Sequence, residues 1–95
     1  METIKVREKG SGLTTNEELD LFKYAEEGLK NFNTNHLKTV QHISGHMNTN
    51  HQGKWTVFVV ESLTTPWDIA YHSIDNKHIE FSLKNCDFFV YKSNP

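Results

Sequence analysis

Six histidines in a chain of 95 residues are the side chains best able to do chemistry in this sequence. His42 and His46 are four residues apart, which places both on one face of a helix, and His51 follows soon after. A zinc site needs three or four converging Cys, His or carboxylate ligands, and the segment 42–46 lacks the glutamate that follows the first histidine in zinc proteases. We therefore interpret these histidines as solvent-facing helix residues, and we predict no metal and no cofactor.

The other reactive side chains also form no catalytic group. The single cysteine, Cys86, lies in or beside a predicted hairpin turn, with no helix N-terminus to lower its pKa. The pairs Glu17-Glu18 and Glu26-Glu27 point in different directions on a helix, which favours a solvated face over paired acid–base catalysis. The sequence thus predicts that the protein is not an enzyme.

Composition limits the class of protein. Hydrophobic residues make up 36% and aromatic residues 12% of the chain, which is typical of a folded domain, and the length predicts a single domain over residues 1–95. Ten Lys and Arg against twelve Asp and Glu form no basic stripe, so no nucleic-acid partner is expected. No apolar run approaches the roughly 18 residues of a membrane helix, so no membrane insertion is expected. One cysteine fits a reducing compartment, and we predict a cytoplasmic protein.

The spacing of apolar residues predicts a short strand followed by two helices. Thr3–Arg7 alternates as an edge strand, and Thr15–Glu18 has the form of a capping box that would start the first helix. Each helix has apolar residues at spacings of three and four, which predicts one buried face. These residues are Leu19, Phe22, Ala25, Leu29 and Phe32 in the first helix, and Leu37, Val40, Ile43 and Met47 in the second.

After Gly53 the pattern changes to that of β-strands, rich in aromatic and β-branched residues. Helices followed by a run of strands favour an α+β fold with an antiparallel sheet. The four predicted strands are Trp55–Val60, Trp67–His72, His78–Leu83 and Asp87–Tyr91, with turns at Asp75–Lys77 and Lys84-Asn85.

The order and spacing of several short motifs resemble the smallest class of dynein light chains. The motifs lie at the end of the first helix, in the second helix, before the second strand and in the last two strands. They are the segment 25–33, His42-Ile43, Gly53-Lys54-Trp55, and the segments 77–83 and 89–93. A related resemblance is to the light-chain-like domains that follow EF-hands in flatworm tegumental calcium-binding proteins.

The resemblance implies a two-fold homodimer in which the strand Trp67–His72 crosses to the partner's sheet. It also implies a groove that takes extended segments of partner proteins as an added strand, with the dynein intermediate chain as a candidate partner and a cytoskeleton-associated location. The alternative is a dimerisation module with a non-functional groove, as in a tegumental calcium-binding protein, whose location would be the tegument of a flatworm.

The resemblance also assigns site residues. Asn35 and His36 would contact the bound segment, or would form only the cap of the second helix. Trp67 would anchor the dimer or line the groove, and Thr56 stands where the family has an interface histidine that makes its dimer acid-sensitive. The expected groove residues are Asn35, His36, Trp67, Asp68, Ile69, Ala70, Tyr71 and His72. The expected dimer-interface residues are Trp55, Thr56, Val57, Phe58, Trp67, Ile69 and Tyr71.

Overall fold

A computed structural model describes residues 3–61 and 73–95 of the chain. The predicted crossing strand at residues 67–72 therefore lies outside the described residues, and so do its six site residues. In chain order the described elements are β1 (Lys5–Lys9), α1 (Thr15–Phe32), α2 (His36–Asn50), β2 (Lys54–Glu61), a 3-10 turn (Ile74–Asn76), β3 (His78–Leu83) and β4 (Cys86–Asn94).

The described strands form one antiparallel sheet in the order β1-β3-β4-β2. This architecture confirms the predicted α+β fold, with a short N-terminal strand, two helices and an antiparallel sheet. β3 and β4 are joined by the predicted two-residue turn, and the positive φ that such turns require, 56°, is adopted by Lys84.

The core lies between the helices and one face of the sheet. The alternation in β3 is regular, with Ile79, Phe81 and Leu83 buried and the residues between them half-buried. Phe81 and Phe88 stack at a ring-centroid distance of 4.9 Å, and the edge of Phe22 packs against Phe81 at 5.0 Å. Each large side chain buried in this layer contributes about 1.5–3 kcal/mol to the free energy of unfolding.

The buried faces of the helices differ from the predicted ones. Leu19 is 59% exposed and Leu37 is 67% exposed, although both were expected to face the core. The buried stripe of α1 runs instead through Leu21, Ala25 and Gly28, and α2 buries the polar residue Thr39. The helices approach closely along this stripe, because Gly28 and Thr39 are small enough to let their backbones come together.

The first helix begins one residue earlier than the predicted capping box. Thr14 is the N-cap, its hydroxyl accepts from the backbone N–H of Glu17 at 3.1 Å, and the Glu17 carboxylate accepts from the Thr14 N–H at 2.9 Å. Glu17 is therefore buried rather than part of a solvated face, which corrects the sequence-based interpretation. Its carboxylate also accepts from the Lys77 ammonium at 2.7 Å, which joins α1 to the start of β3.

Candidate functional site

β2 presents two different faces because its side chains alternate across the sheet. Trp55 and Val57 are 3% and 7% exposed and lie in the core. Phe58 and Val60 lie on the opposite, outer face and are 41% and 36% exposed, so two large apolar side chains at the end of the sheet contact solvent. Adjacent apolar side chains that are exposed to solvent are one of the surface features that mark an interaction site.

An aromatic row crosses this outer face from β2 to β4. Phe58 pairs with Phe89 across the strands, with ring centroids 6.3 Å apart, and stacks on Tyr91 at 6.5 Å. Phe89 and Tyr91 meet edge to face at 6.1 Å. The contacts with Phe89 and Tyr91 orient the ring of Phe58 on the strand while part of that ring stays exposed.

β2 is also an edge strand. Of the described strands it pairs only with β4, over the length Lys54–Glu61, and no described strand lies along its other side. A strand edge of this kind carries backbone N–H and C=O groups that a further strand can satisfy. An exposed edge with adjacent apolar side chains has the chemistry required for strand pairing with another chain.

A cleft of about 490 Å³ opens beside the C-terminal end of β2. It lies between the connection of the two helices and the β3–β4 turn. Its polar lining includes His36 and Glu61, and the buried thiol of Cys86 lies at its wall.

His36 is the most unusual side chain in this cleft. Both of its ring nitrogens are buried, and neither has a hydrogen-bond partner in the part of the chain that the structure describes. Nε2 lies 3.6 Å from Oε1 of Glu61, which is an ion-pair distance for a protonated ring and too long for a hydrogen bond. The side chain as a whole is 28% exposed, so the ring has hydrogen-bonding capacity for a polar group that enters the cleft.

The Cys86 thiol in the same cleft is unsuited to nucleophilic chemistry. Burial raises its pKa, and the nearby carboxylates of Glu61 and Asp87 raise it further. The thiol therefore stays protonated at neutral pH, whereas the thiolate is the reactive form.

Asn35, the other predicted groove residue at this end, is the N-cap of α2. Its Oδ1 accepts from the backbone N–H of Lys38 at 3.2 Å. Asn35 is thus a helix cap, and because its side chain is also exposed, its assignment to the groove stays a prediction.

The predicted interface residues on β2 separate into two groups. Thr56 and Phe58 lie on the outer face, and the Thr56 hydroxyl donates to Oγ of Ser93 at 3.0 Å. Trp55 and Val57 are core residues of the protomer, so an interface would use their backbone and not their side chains. Trp67, Asp68, Ile69, Ala70, Tyr71 and His72 lie outside the described residues, and their assignment stays a prediction.

Two residues of the cleft, Glu61 and Cys86, were not predicted to belong to a binding site. Glu61 directly follows the predicted strand at 55–60, and a charged residue at the end of an exposed strand carries no distinct sequence signal. Cys86 follows the predicted turn at 84–85, and its position beside Glu61 depends on the pairing of β2 with β4.

Of the three histidines predicted to face solvent, His46 is exposed, whereas His42 and His51 contact α1. His42 Nε2 lies 2.9 Å from Oε1 of Glu27, and His51 Nε2 lies 2.8 Å from Oδ2 of Asp20. These two histidines thus connect α2 to α1 instead of facing solvent. Within residues 3–61 and 73–95 no group of three or more His, Cys, Asp or Glu side chains could hold a metal ion.

The described helices are also too short or too polar for one of them to cross a membrane.

Comparisons with known proteins identify the fold. No protein-family model matches the sequence, and no curated protein matches it. Among solved structures, the dynein light chain-like domain of the Fasciola hepatica calcium binding protein FhCaBP2 aligns with a TM-score of 0.76 at 11% identity, over 96% of this chain and 91% of that one. The dynein light chain-like domain of CsTAL3 aligns with a TM-score of 0.69 at 16% identity, over 97% of this chain and 94% of that one. The chain therefore has the dynein light chain-like fold.

Proposed function

We propose that this chain is a non-catalytic dimerisation and adaptor domain. The observation that carries the proposal is the edge of β2 that no described strand pairs, with Phe58 and Val60 exposed beside it. A second copy of the chain that adds a strand to this edge would satisfy its backbone groups and cover both side chains.

The energetic argument for a dimer rests on the apolar surface. Removal of apolar area from water is worth about 25 cal/mol per Å², so covering Phe58 and Val60 on both protomers favours association. The strand edge adds directionality, because backbone hydrogen bonds form only in register. In a two-fold dimer each protomer would contribute the same strand edge and the same aromatic row.

Sedimentation equilibrium at micromolar protomer concentration tests the dimer. We expect a species of twice the 11.0 kDa chain mass, and weaker association for Phe58→Ser and Val60→Lys. Leu37→Ser is the matched control, since Leu37 is also a large exposed side chain but lies on α2. A single 11.0 kDa species in the unsubstituted chain would contradict the proposal.

The adaptor role is proposed for the cleft beside β2. An extended segment of a partner protein would add as a strand, and a polar side chain of that segment would hydrogen bond to the ring of His36, which has no hydrogen-bond partner among the described residues. Asn35 and the residues 67–72 are proposed to line the same groove. The dynein intermediate chain is the candidate partner, and the location proposed with it is cytoplasmic and cytoskeleton-associated.

A second candidate function is a dimerisation domain whose groove binds no peptide. The comparisons favour it, because the similar domain of FhCaBP2 belongs to a calcium binding protein. Such a domain would serve to pair two copies of a longer chain, and its proposed location is the tegument.

Titration calorimetry separates the two candidates. The probes are extended peptides of about ten residues, including a segment of the dynein intermediate chain, each with a backbone N-methylated copy that cannot pair as a strand. Saturable heat that is lost on N-methylation and reduced by His36→Ala supports the adaptor. Absence of heat from every peptide, with the dimer intact, supports the dimerisation domain alone.

A further inference from the structure

A second cleft, of about 600 Å³, lies between α1 and the β3–β4 turn, and Lys84 lines both this cleft and the one beside β2. Its floor is apolar and is formed by Ile4, Leu19 and Phe22. β1 and β2 are at opposite ends of the sheet, and Ile4 directly precedes β1. Pairing through β2 would therefore leave this cleft accessible on both protomers.

The apolar floor is fixed in place by the core. The ring of Phe22 packs edge-on against the buried ring of Phe81, which prevents it from turning away from the cleft. Leu19, one turn earlier on α1, is 59% exposed. Leu19 and Phe22 are three residues apart on α1, and apolar side chains at the same spacing on an amphipathic partner helix could pack against them.

The rim of the cleft has an excess of positive charge. Lys23, Lys30 and Lys84 line it, and none of them forms an ion pair within the described ranges 3–61 and 73–95. The carboxylates of Glu26 and Glu27 also line it, and Glu27 keeps its negative charge although its Oε1 lies 2.9 Å from Nε2 of His42. Three lysines against two carboxylates leave an excess of one positive charge, so an acidic ligand is favoured over a basic one.

The three lysines of the rim are distributed around the apolar floor on two separate elements, α1 and the β3–β4 turn. They could thus contact charges on both sides of a ligand that lies on the floor.

From these observations we propose that this cleft docks a short acidic amphipathic helix of a partner protein. Leu19 and Phe22 receive the apolar side of that helix, and the three lysines pair with its Asp or Glu residues. The distance along α1 from Leu19 to Lys30 is about 16 Å, which corresponds to about three turns of a docked helix. This mode of binding differs from strand addition, and it requires neither the dimer nor the β2 edge.

The test uses a synthetic helical peptide of about fourteen residues, with leucines at alternating spacings of three and four and glutamates at most other positions. The control peptide keeps the leucines and replaces each glutamate with lysine. Titration is followed by ¹H–¹⁵N chemical-shift changes of the intact chain. We expect saturable binding of the acidic peptide alone, with shifts centred on α1 and Lys84, and weaker binding at higher salt.

Matched substitutions locate the interaction. We expect Leu19→Ser to weaken binding about tenfold and Lys30→Glu about fivefold, as loss of one apolar contact and reversal of one charge. Leu37→Ser and Lys38→Glu, both exposed on α2, should leave the affinity unchanged. Equal binding of the lysine peptide, shifts confined to β2 and α2, or no saturable binding would each overturn the proposal.

Discussion

Gly28 and Gly45 are both helical glycines, but their surroundings predict opposite effects of the same substitution. A Cβ on Gly28 would lie 2.7 Å from Cγ2 of Thr39, a side chain that is fully buried, whereas a Cβ on Gly45 would have no neighbour within 4 Å. We expect Gly28→Ala to lower the free energy of unfolding by about 1–3 kcal/mol through overpacking. Gly45→Ala should raise it by about 0.8–1 kcal/mol through helix propensity.

Urea unfolding at one fixed protomer concentration measures both values, because a dimer makes apparent stability depend on concentration. Gly28→Ala combined with Thr39→Ser provides the control, since loss of the Thr39 methyl removes the nearest clash. The close approach of the helices would be refuted if Gly28→Ala stabilised the protein as much as Gly45→Ala does.

The ion pair between Glu17 and Lys77 predicts a pH dependence of stability. Burial raises the pKa of Glu17, but the hydrogen bonds from Lys77 and Thr14 more than offset this, and the net pKa is lowered. A carboxylate with a lowered pKa stabilises the folded state fully above its unfolded pKa of about 4.3, and this stability is lost as the pH falls through the folded pKa.

Glu17→Gln should therefore lower the free energy of unfolding at pH 7 by about 1–3 kcal/mol, and should have a smaller effect near pH 3. Denaturant unfolding from pH 7 to pH 3 measures the difference between the two chains. Glu26→Gln, at an exposed position of the same helix, serves as the control and should leave the profile unchanged. A constant difference at every pH would show that the ion pair has no role in the titration.

At the scale of the elements, α1 ends in a backbone conformation that is costly for its residue. Asn33 has φ 52° and ψ −112°, and its N–H donates to the Leu29 carbonyl at 3.1 Å. Glycine adopts such positive φ values without a steric cost, and it is the preferred residue just after a helix. We expect Asn33→Gly to raise the thermal unfolding midpoint, by the equivalent of about 1 kcal/mol.

The neighbouring residue supplies the comparison for this prediction. Thr34 has no positive φ, so Thr34→Gly removes no backbone strain. It only increases the conformational freedom of the unfolded chain, which lowers the stability of the folded one. Calorimetric midpoints should move in opposite directions for the two substitutions. A fall for both would mean that the helix end does not constrain Asn33.

The elements themselves could be predicted from sequence, but the orientation of the helices could not. The bounds of α1, α2 and the strands at 55–60 and 78–83 follow from periodicity and turn residues, which are local properties. The periodic pattern nevertheless assigned Leu19 and Leu37 to the core, because a count of apolar residues ignores Gly28 and Thr39. Those two small residues decide how the helices pack, and their contact is a tertiary one.

The candidate site was less predictable than the fold for the same reason. His36 was predicted from its resemblance to a family position, but the burial of its ring nitrogens and their approach to Glu61 are tertiary features that the sequence does not show. Glu61 and Cys86 come together only when β2 pairs with β4. Side chains brought together by long-range strand pairing have no common motif along the chain.

At the scale of the whole molecule, Thr56 offers a way to test how two copies would meet. It lies on the outer face of β2, paired across the strands with Tyr91, within the surface that we propose for the dimer. A histidine at this position on a two-fold interface would place two imidazoles near each other, and protonation below about pH 6.5 would add like charges. We therefore expect Thr56→His to make the dimer dissociate at a higher pH than the unsubstituted dimer does.

Sedimentation equilibrium between pH 7.5 and pH 5 measures this effect on both chains, with Thr49→His on the exposed side of α2 as a matched control. The comparison is with the unsubstituted chain because the six native histidines are the same in every variant. If the Thr56→His and Thr49→His dimers dissociate at the same pH, the outer face of β2 does not form the dimer contact. If only Thr56→His becomes acid-sensitive, the two sheets must meet at this strand, because a charge exposed to solvent would not oppose association.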